Sequence, residues 1–268
     1  MIISMLISMT TDITIFSTKN TGVHMKRILT FTLLVALILT VFSGCVVVNM
    51  SGTTVRGEGS PESFEIPVSR FDRVNIGGAF ELHYREADVH RVSLEIQPNL
   101  MEYIQTDVID GELRVRTARG VRYVSILTPV LTVYSPELKG LEISGASSFT
   151  TYDVLKADTF SINLSGAGSS RLELDINTLN LNVSGAGSFI LFGKADTINI
   201  SMSGAGELEA LSLESREGTV NFSGAGTIKV NSTESLSIRA SGIGTVLYKG
   251  SPSLTLNNSG MVTIRRVE

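Results

Sequence analysis

Along the second half of the chain, apolar and polar residues alternate in short runs: Phe160, Ile162, Leu164; Leu179, Leu181, Val183; Ile198, Ile200, Met202; and Leu236, Ile238, Ala240. A period of two marks a β-strand with one buried face. Each run ends on the same dipeptide, Ser-Gly, which begins at Ser144, Ser165, Ser184, Ser203, Ser223, Ser241 and Ser259. Five residues after the serine a second apolar position recurs, at Phe149, Phe189, Leu208, Ile228, Val246 and Ile264. The fuller motif is Ser-Gly-Ala-Gly, complete at Ser165-Gly166-Ala167-Gly168, Ser184-Gly185-Ala186-Gly187, Ser203-Gly204-Ala205-Gly206 and Ser223-Gly224-Ala225-Gly226. It reads as a structural corner, in which Gly takes the positive φ of a tight turn and Ala stacks on its copies inside it.

Successive serines lie 21, 19, 19, 20, 18 and 18 residues apart. A repeat near 20 residues indicates units that stack on one another. So short a unit holds two or three short strands and no crossover helix, so each strand must pair in parallel with its counterpart one period on. The expected fold is all-β, a single-stranded parallel β-helix with coils of about 18 to 21 residues, right-handed by the usual preference of parallel crossovers.

The segment 64–129 is β-like but less regular, with alternation at Phe64, Ile66, Val68, at Phe80, Leu82, Tyr84, and at Val92, Leu94, Ile96. Asp110-Gly111 is a hairpin signal, and Pro98 to Gln105 suggests a short helix or loop. These residues read as irregular first coils and a cap, with a separate small β domain as the alternative. Regular repeats are expected over 130–268. Asn258 falls where other coils bury an apolar residue, and Arg265, Arg266 and Glu268 follow; such polar residues on a last coil discourage strand addition.

At the other end, residues 1–24 carry no recognisable element. Met25-Lys26-Arg27 followed by the apolar run 28–42 has the order of a signal peptide, so 25–44 is assigned to one. It closes on Phe42-Ser43-Gly44-Cys45, similar to a bacterial lipobox, which would make Cys45 the lipid-bearing N-terminus and the membrane the first partner. An ordinary membrane anchor over 28–48 is the alternative. Cys45 is the one cysteine among 268 residues, so no internal disulfide can form. Residues 45–63, rich in Gly, Ser and Thr, read as a tether.

Charge narrows the partners. Removal of 1–44 takes Lys19, Lys26, Arg27 and Asp12, moving the net charge from −4 to −6, with no basic cluster to attract nucleic acid.

The Ser-Gly-Ala-Gly spacing, the lead-ins Ala157-Asp158-Thr159 and Ala195-Asp196-Thr197, and the opening Phe71-Asp72-Arg73-Val74-Asn75-Ile76-Gly77-Gly78 together resemble the bacterial family named "putative autotransporter adhesin, head GIN domain". The resemblance covers roughly 64–264. It implies a secreted or lipid-anchored protein of the cell envelope, a β-helix similar to the pectin-lyase type, a role in adhesion, and no catalytic residues.

The residues themselves offer little enzymatic chemistry. Asp153, Asp158, Asp175, Asp196, Glu207, Glu209, Glu214, Glu217 and Glu234 do not recur at one register, as a calcium-dependent lyase would need. His83 and His90 lack a Ser or Cys partner and read as surface histidines. The glycines never lead into a helix N-terminus, so there is no phosphate loop. No cofactor or metal is expected.

If the apolar residues face inward, the outward pairs before each Ser-Gly are Ser161 and Asn163, Asn180 and Asn182, Asn199 and Ser201, Thr219 and Asn221, Ser237 and Arg239, Thr255 and Asn257. We take Asn163, Asn180, Asn182, Asn199, Ser201, Thr219 and Asn221 as the candidate face for a glycan or protein. The competing reading is structural: equivalent residues stand about 4.8 Å apart between coils, where Asn and Ser can hydrogen-bond along the axis. Tyr84, Tyr103, Tyr123 and Tyr134, all ahead of the first Ser-Gly, are a second possible surface. An envelope assembly component and a polysaccharide lyase are the alternative functions. The sequence leaves the oligomeric state open.

Overall fold

A computed structural model describes residues 53–125 and 127–268. The expected signal peptide and lipobox, with Cys45, lie outside the described residues. Short strands come first: β1 (Thr53–Arg56), β2 (Glu62–Ile66), β3 (Arg73–Gly77), β4 (Glu81–Glu86) and β5 (Arg91–Ile96). A 3-10 helix, Pro98–Tyr103, precedes β6 (Ile104–Ile109), β7 (Glu112–Thr117), β8 (Val121–Val124) and β9 (Val130–Ser135). Then β10 (Gly140–Ile143), β11 (Ala146–Thr151) and β12 (Leu155–Leu164) lead into four long strands, β13 (Ala167–Val183), β14 (Ala186–Met202), β15 (Ala205–Phe222) and β16 (Ala225–Ala240). The last are β17 (Ile243–Lys249), β18 (Ser253–Asn258) and β19 (Met261–Arg266).

The long strands pair in parallel, each with the next, in the register the repeat requires: Ala167, Ala186, Ala205, Ala225 and Ile243 form one column. The protein is a β-solenoid of about seven turns with about 19 residues per turn. Contrary to the expected two or three short strands, a coil such as β13 is one strand of 17 residues that bends without leaving the ladder. Phase shows where it bends. Ser170, Leu172, Leu174 and Ile176 face inward, then Asn177 and Thr178 both face out, and Leu179, Leu181 and Val183 resume the inward set. Two successive outward residues make a convex corner, and pairing with the coils on either side satisfies the backbone through the bend. The extra residues of the longer coil are absorbed as bulges between Ala210 and Glu214, away from the Ser-Gly corner.

That corner has a different logic from the one expected of it. Ala167, Ala186, Ala205 and Ala225 are exposed, so alanine does not stack inside the turn. Of the eight glycines in the four complete motifs, only Gly226 has a positive φ, 142°. The first glycine is required instead by close approach. A Cβ on Gly166, Gly185, Gly204 or Gly224 would stand 1.8–1.9 Å from the carbonyl oxygen of the corresponding glycine one coil earlier. Backbone is packed on backbone, which only Gly permits.

The N-terminal half joins the same ladder out of sequence order. β3 pairs in parallel with both β7 and β10, and β4 with both β9 and β11. The chain therefore lays down β3 and β4, departs to build the strands on one side of them, and returns to add β10 and β11 on the other. Gly77-Gly78 occupies the corner position, with the Ala146 N–H donating to the Gly78 carbonyl at 2.7 Å. Beyond β7 and β9 the pairing turns antiparallel, β6 on β7, β5 on β9 and β2 on β5, and Leu100 of the 3-10 helix is fully buried there. The β6–β7 hairpin turns on Asp110 and Gly111, with φ of 51° and 76°, as an Asp-Gly turn with both central residues left-handed requires. The apolar interior, including Phe149, Phe160, Phe189 and Phe222, runs continuously through the stack.

Candidate binding surface

The candidate residues stand in two outward columns fixed by the strand register. One carries Ser161, Asn180, Asn199 and Thr219; the other carries Asn163, Asn182, Ser201 and Asn221. Within them the Asn199 amide donates to Asn180 Oδ1 at 3.1 Å, Asn180 donates to Ser161 Oγ at 3.3 Å, and Asn182 donates to Asn163 Oδ1 at 3.0 Å. Part of the polar capacity of this face is thus spent along the axis, which is what the structural reading of the sequence anticipates.

The second column forms one wall of a groove whose other wall is the serines of the repeat. One stretch, of about 170 Å³, is lined by Glu142, Asn163, Asn182 and Ser201 opposite Ser165, Ser184 and Ser203. The next, of about 270 Å³, is lined by Ser201, Asn221, Arg239 and Asn257 opposite Ser223, Ser241 and Ser259. Ser201 belongs to both. The groove runs parallel to the stacking axis, carries hydroxyl and amide groups, and has only Glu142 and Arg239 as charged members. The serines Ser165, Ser184, Ser203 and Ser223, assigned to the corner on sequence grounds, are exposed along this groove. Two of these hydroxyls also bond across coils, Ser184 Oγ donating to the Leu164 carbonyl at 3.4 Å and Ser203 Oγ to the Val183 carbonyl at 3.5 Å, so the recurring serine serves the stack as well as lining the groove.

A larger crevice, about 340 Å³, lies where the chain passes between levels, lined by Arg70, Asp72, Arg73, His90, Glu137 and Lys139 among others. Its charges compensate one another: Lys139 Nζ is 2.9 Å from Glu137 and 3.1 Å from Asp72, and hydrogen bonds to these two carboxylates, Glu137 first, raise its pKa. Burial, followed by the Arg70 guanidinium, lowers the pKa of His90, with Asp72 opposing. Its Nδ1 accepts from the Phe71 N–H at 3.4 Å, a bond available only to the neutral ring.

His83 is no isolated surface histidine. Its Nε2 lies 2.8 Å from Glu81 Oε1 and its Nδ1 3.3 Å from the Tyr152 hydroxyl, a partner 69 residues away that sequence spacing could not supply. The expected tyrosine surface is corrected for two of its four members, while Tyr103 and Tyr134 stay partly exposed. Tyr84 is buried, with its hydroxyl donating to the Ser135 carbonyl at 3.1 Å, and Tyr123 is tied to the Ala79 carbonyl at 2.8 Å. Among the described residues no group of three or more His, Cys, Asp or Glu could hold a metal ion. No helix among them is long and apolar enough to cross a membrane.

Residues 70–252 match the family described as "Putative auto-transporter adhesin, head GIN domain", and the chain belongs to that family. No curated protein matches the sequence. Solved structures share the fold, three of them as follows. A "putative adhesin" from Bacteroides fragilis superimposes with a TM-score of 0.75 at 23% identity, covering 80% of this chain and 100% of its own. A "putative lipid binding protein" from Parabacteroides distasonis gives 0.66 at 24%, covering 81% and 100%. A "putative adhesin" from Parabacteroides merdae gives 0.58 at 20%, covering 80% and 99%. At these identities the likeness carries the fold alone. The family places the chain among adhesin-like proteins of the cell surface or envelope.

Proposed function

We propose that this protein is a non-catalytic adhesin, held to a membrane by a lipid on Cys45, that docks a linear, hydroxyl-rich glycan along the groove between the Ser-Gly serines and the Asn163–Asn221 column. The observation that carries this reading is the groove itself: continuous over successive coils, lined by hydroxyls and amides, and nearly free of charge. A repeating surface suits a repeating ligand, because most coils offer a serine hydroxyl and an amide or second hydroxyl about 4.8 Å further on. Shallow grooves of this kind gain affinity from many weak contacts rather than from one enclosed pocket.

The hydrogen bonds along the columns favour a second reading, in which the face serves stability and the solenoid is an assembly component of the envelope. Replacing Asn182, Asn199 and Asn221 with Thr separates the two. Loss of glycan binding by a protein that still melts cooperatively supports docking. Undiminished binding assigns the face to stability.

A further inference from the structure

On the other side of the Ser-Gly corner, the outward residues of neighbouring strands make an alternating row of arginine and tyrosine. Arg91 of β5 stands in register with Tyr134 of β9, and Tyr134 with Arg85 of β4. Tyr152 follows immediately after β11, the strand that pairs with β4 on its far side. The Arg91 guanidinium carbon lies 3.9 Å from the centre of the Tyr134 ring, and that of Arg85 4.2 Å from the centre of Tyr152. Further along the stack Arg171 stands 5.1 Å from the ring centre of Phe192.

Stacking on a ring uses the flat face of a guanidinium and leaves its N–H edge free. Among the described residues Arg85, Arg91 and Arg171 make no salt bridge and no side-chain hydrogen bond. Other arginines such as Arg116 and Arg239 are likewise unpaired among the described residues; what sets Arg85, Arg91 and Arg171 apart is the aromatic ring beside each. Three guanidinium groups thus lie beside aromatic rings, those of Arg85 and Arg91 within 4.2 Å of the ring centre, with their donors unspent among the described residues, on a chain whose net charge is −4. The nearby His83–Glu81 pair is already satisfied internally, so it does not compete for the arginine edges.

We propose that this arginine–aromatic row is a second binding site, for an acidic linear polysaccharide lying along the stack. The arginine edges take the carboxylate or sulfate groups, in the bidentate geometry that guanidinium favours, and the half-exposed Tyr152 ring, 53% accessible, offers a sugar face an apolar platform. Tyr134 and Tyr152 are separated by one intervening strand, so their backbones stand about 9.6 Å apart, comparable to the repeat of a disaccharide. The site is independent of the Ser-Gly groove: it selects for negative charge, whereas the groove is almost uncharged.

The test uses purified protein and three immobilised polymers: polygalacturonate, dextran sulfate and neutral dextran. Saturable binding to polygalacturonate or dextran sulfate, weakening as salt is raised, is the expected result; which of the two binds assigns the anion as carboxylate or sulfate. Arg85→Gln with Arg91→Gln should weaken it at least tenfold, Arg85→Lys should recover only part, and Asn182→Thr in the groove should leave it unchanged. Arg171→Gln, at an exposed position, provides a variant that does not depend on the Tyr134 and Tyr152 stacks and should weaken binding severalfold without changing the melt. The proposal is overturned if neither anionic polymer is retained, if dextran binds equally well, or if the arginine variants bind as the parent does.

Discussion

Gly185 has no room for a side chain because Gly166 lies one coil beneath it, with its carbonyl oxygen 1.8 Å from where a Cβ would be. The same contact recurs between Gly204 and Gly185 and between Gly224 and Gly204. We expect Gly204→Ala to cost about 3 kcal/mol or more, since backbone on both sides must move. Ala205→Ser, one residue on but exposed, should change stability by less than about 0.5 kcal/mol. Urea unfolding of the two variants measures the contrast. Equal effects would mean that the corner is not held by glycine-to-glycine packing.

Ser170 occupies a core position between Phe149 and Phe189 in the adjacent coils, and its hydroxyl has no hydrogen-bond partner among the described residues. A buried, unpaired hydroxyl is a cost of about 1–3 kcal/mol. Ser170→Ala removes it with little change of volume and should raise stability by about 1 kcal/mol, seen as a higher urea midpoint with unchanged slope.

Asn180 both donates to Ser161 and accepts from Asn199. The Asn180→Ala and Asn199→Ala substitutions should therefore be non-additive, with a coupling of about 0.5–1 kcal/mol in a double-mutant cycle. Additive effects would show that the ladder bonds contribute nothing beyond their backbone.

The lowered pKa of His90 gives a pH dependence of defined sign. The unfolded chain takes up the proton at the ordinary value of 6.5, whereas the folded chain resists until a lower pH. Stability is fully present above that ordinary value and is lost as pH falls from it toward the folded value. Melting temperature should decline over this window in the parent and less steeply in His90→Gln. Asp72→Asn, which removes the opposing carboxylate, should widen the window, as followed by NMR titration of the imidazole.

How much of this was legible beforehand follows from where each signal resides. The period-two runs ending at Leu164, Val183 and Met202 encode both the strand and its inward face locally, and a repeat near 20 encodes stacking, so the solenoid could be read directly. The Asn and Ser columns followed from the same register. The corner was misread because Gly is permitted in two ways, by φ and by space, and a sequence does not say which; Gly166 and Gly185 turn out to need space. Contacts made by strands laid down out of order were invisible. His83 meets Tyr152, and Arg85 meets Tyr134 and Tyr152, only because β4 is inserted between β9 and β11, a choice that no local pattern in residues 64–129 expresses.

The most direct test of the adhesin account is retention of the purified protein on an array of envelope polysaccharides, host glycans and matrix proteins, with Ser201→Gln as the paired variant. Ser201 lines both stretches of the groove, so a longer side chain there obstructs the path while leaving the core untouched. The account predicts saturable retention on a hydroxyl-rich glycan, no cleavage of that glycan, and at least a tenfold loss with Ser201→Gln. Folded protein that is retained by nothing on the array, or that is retained equally with the groove obstructed, would contradict it.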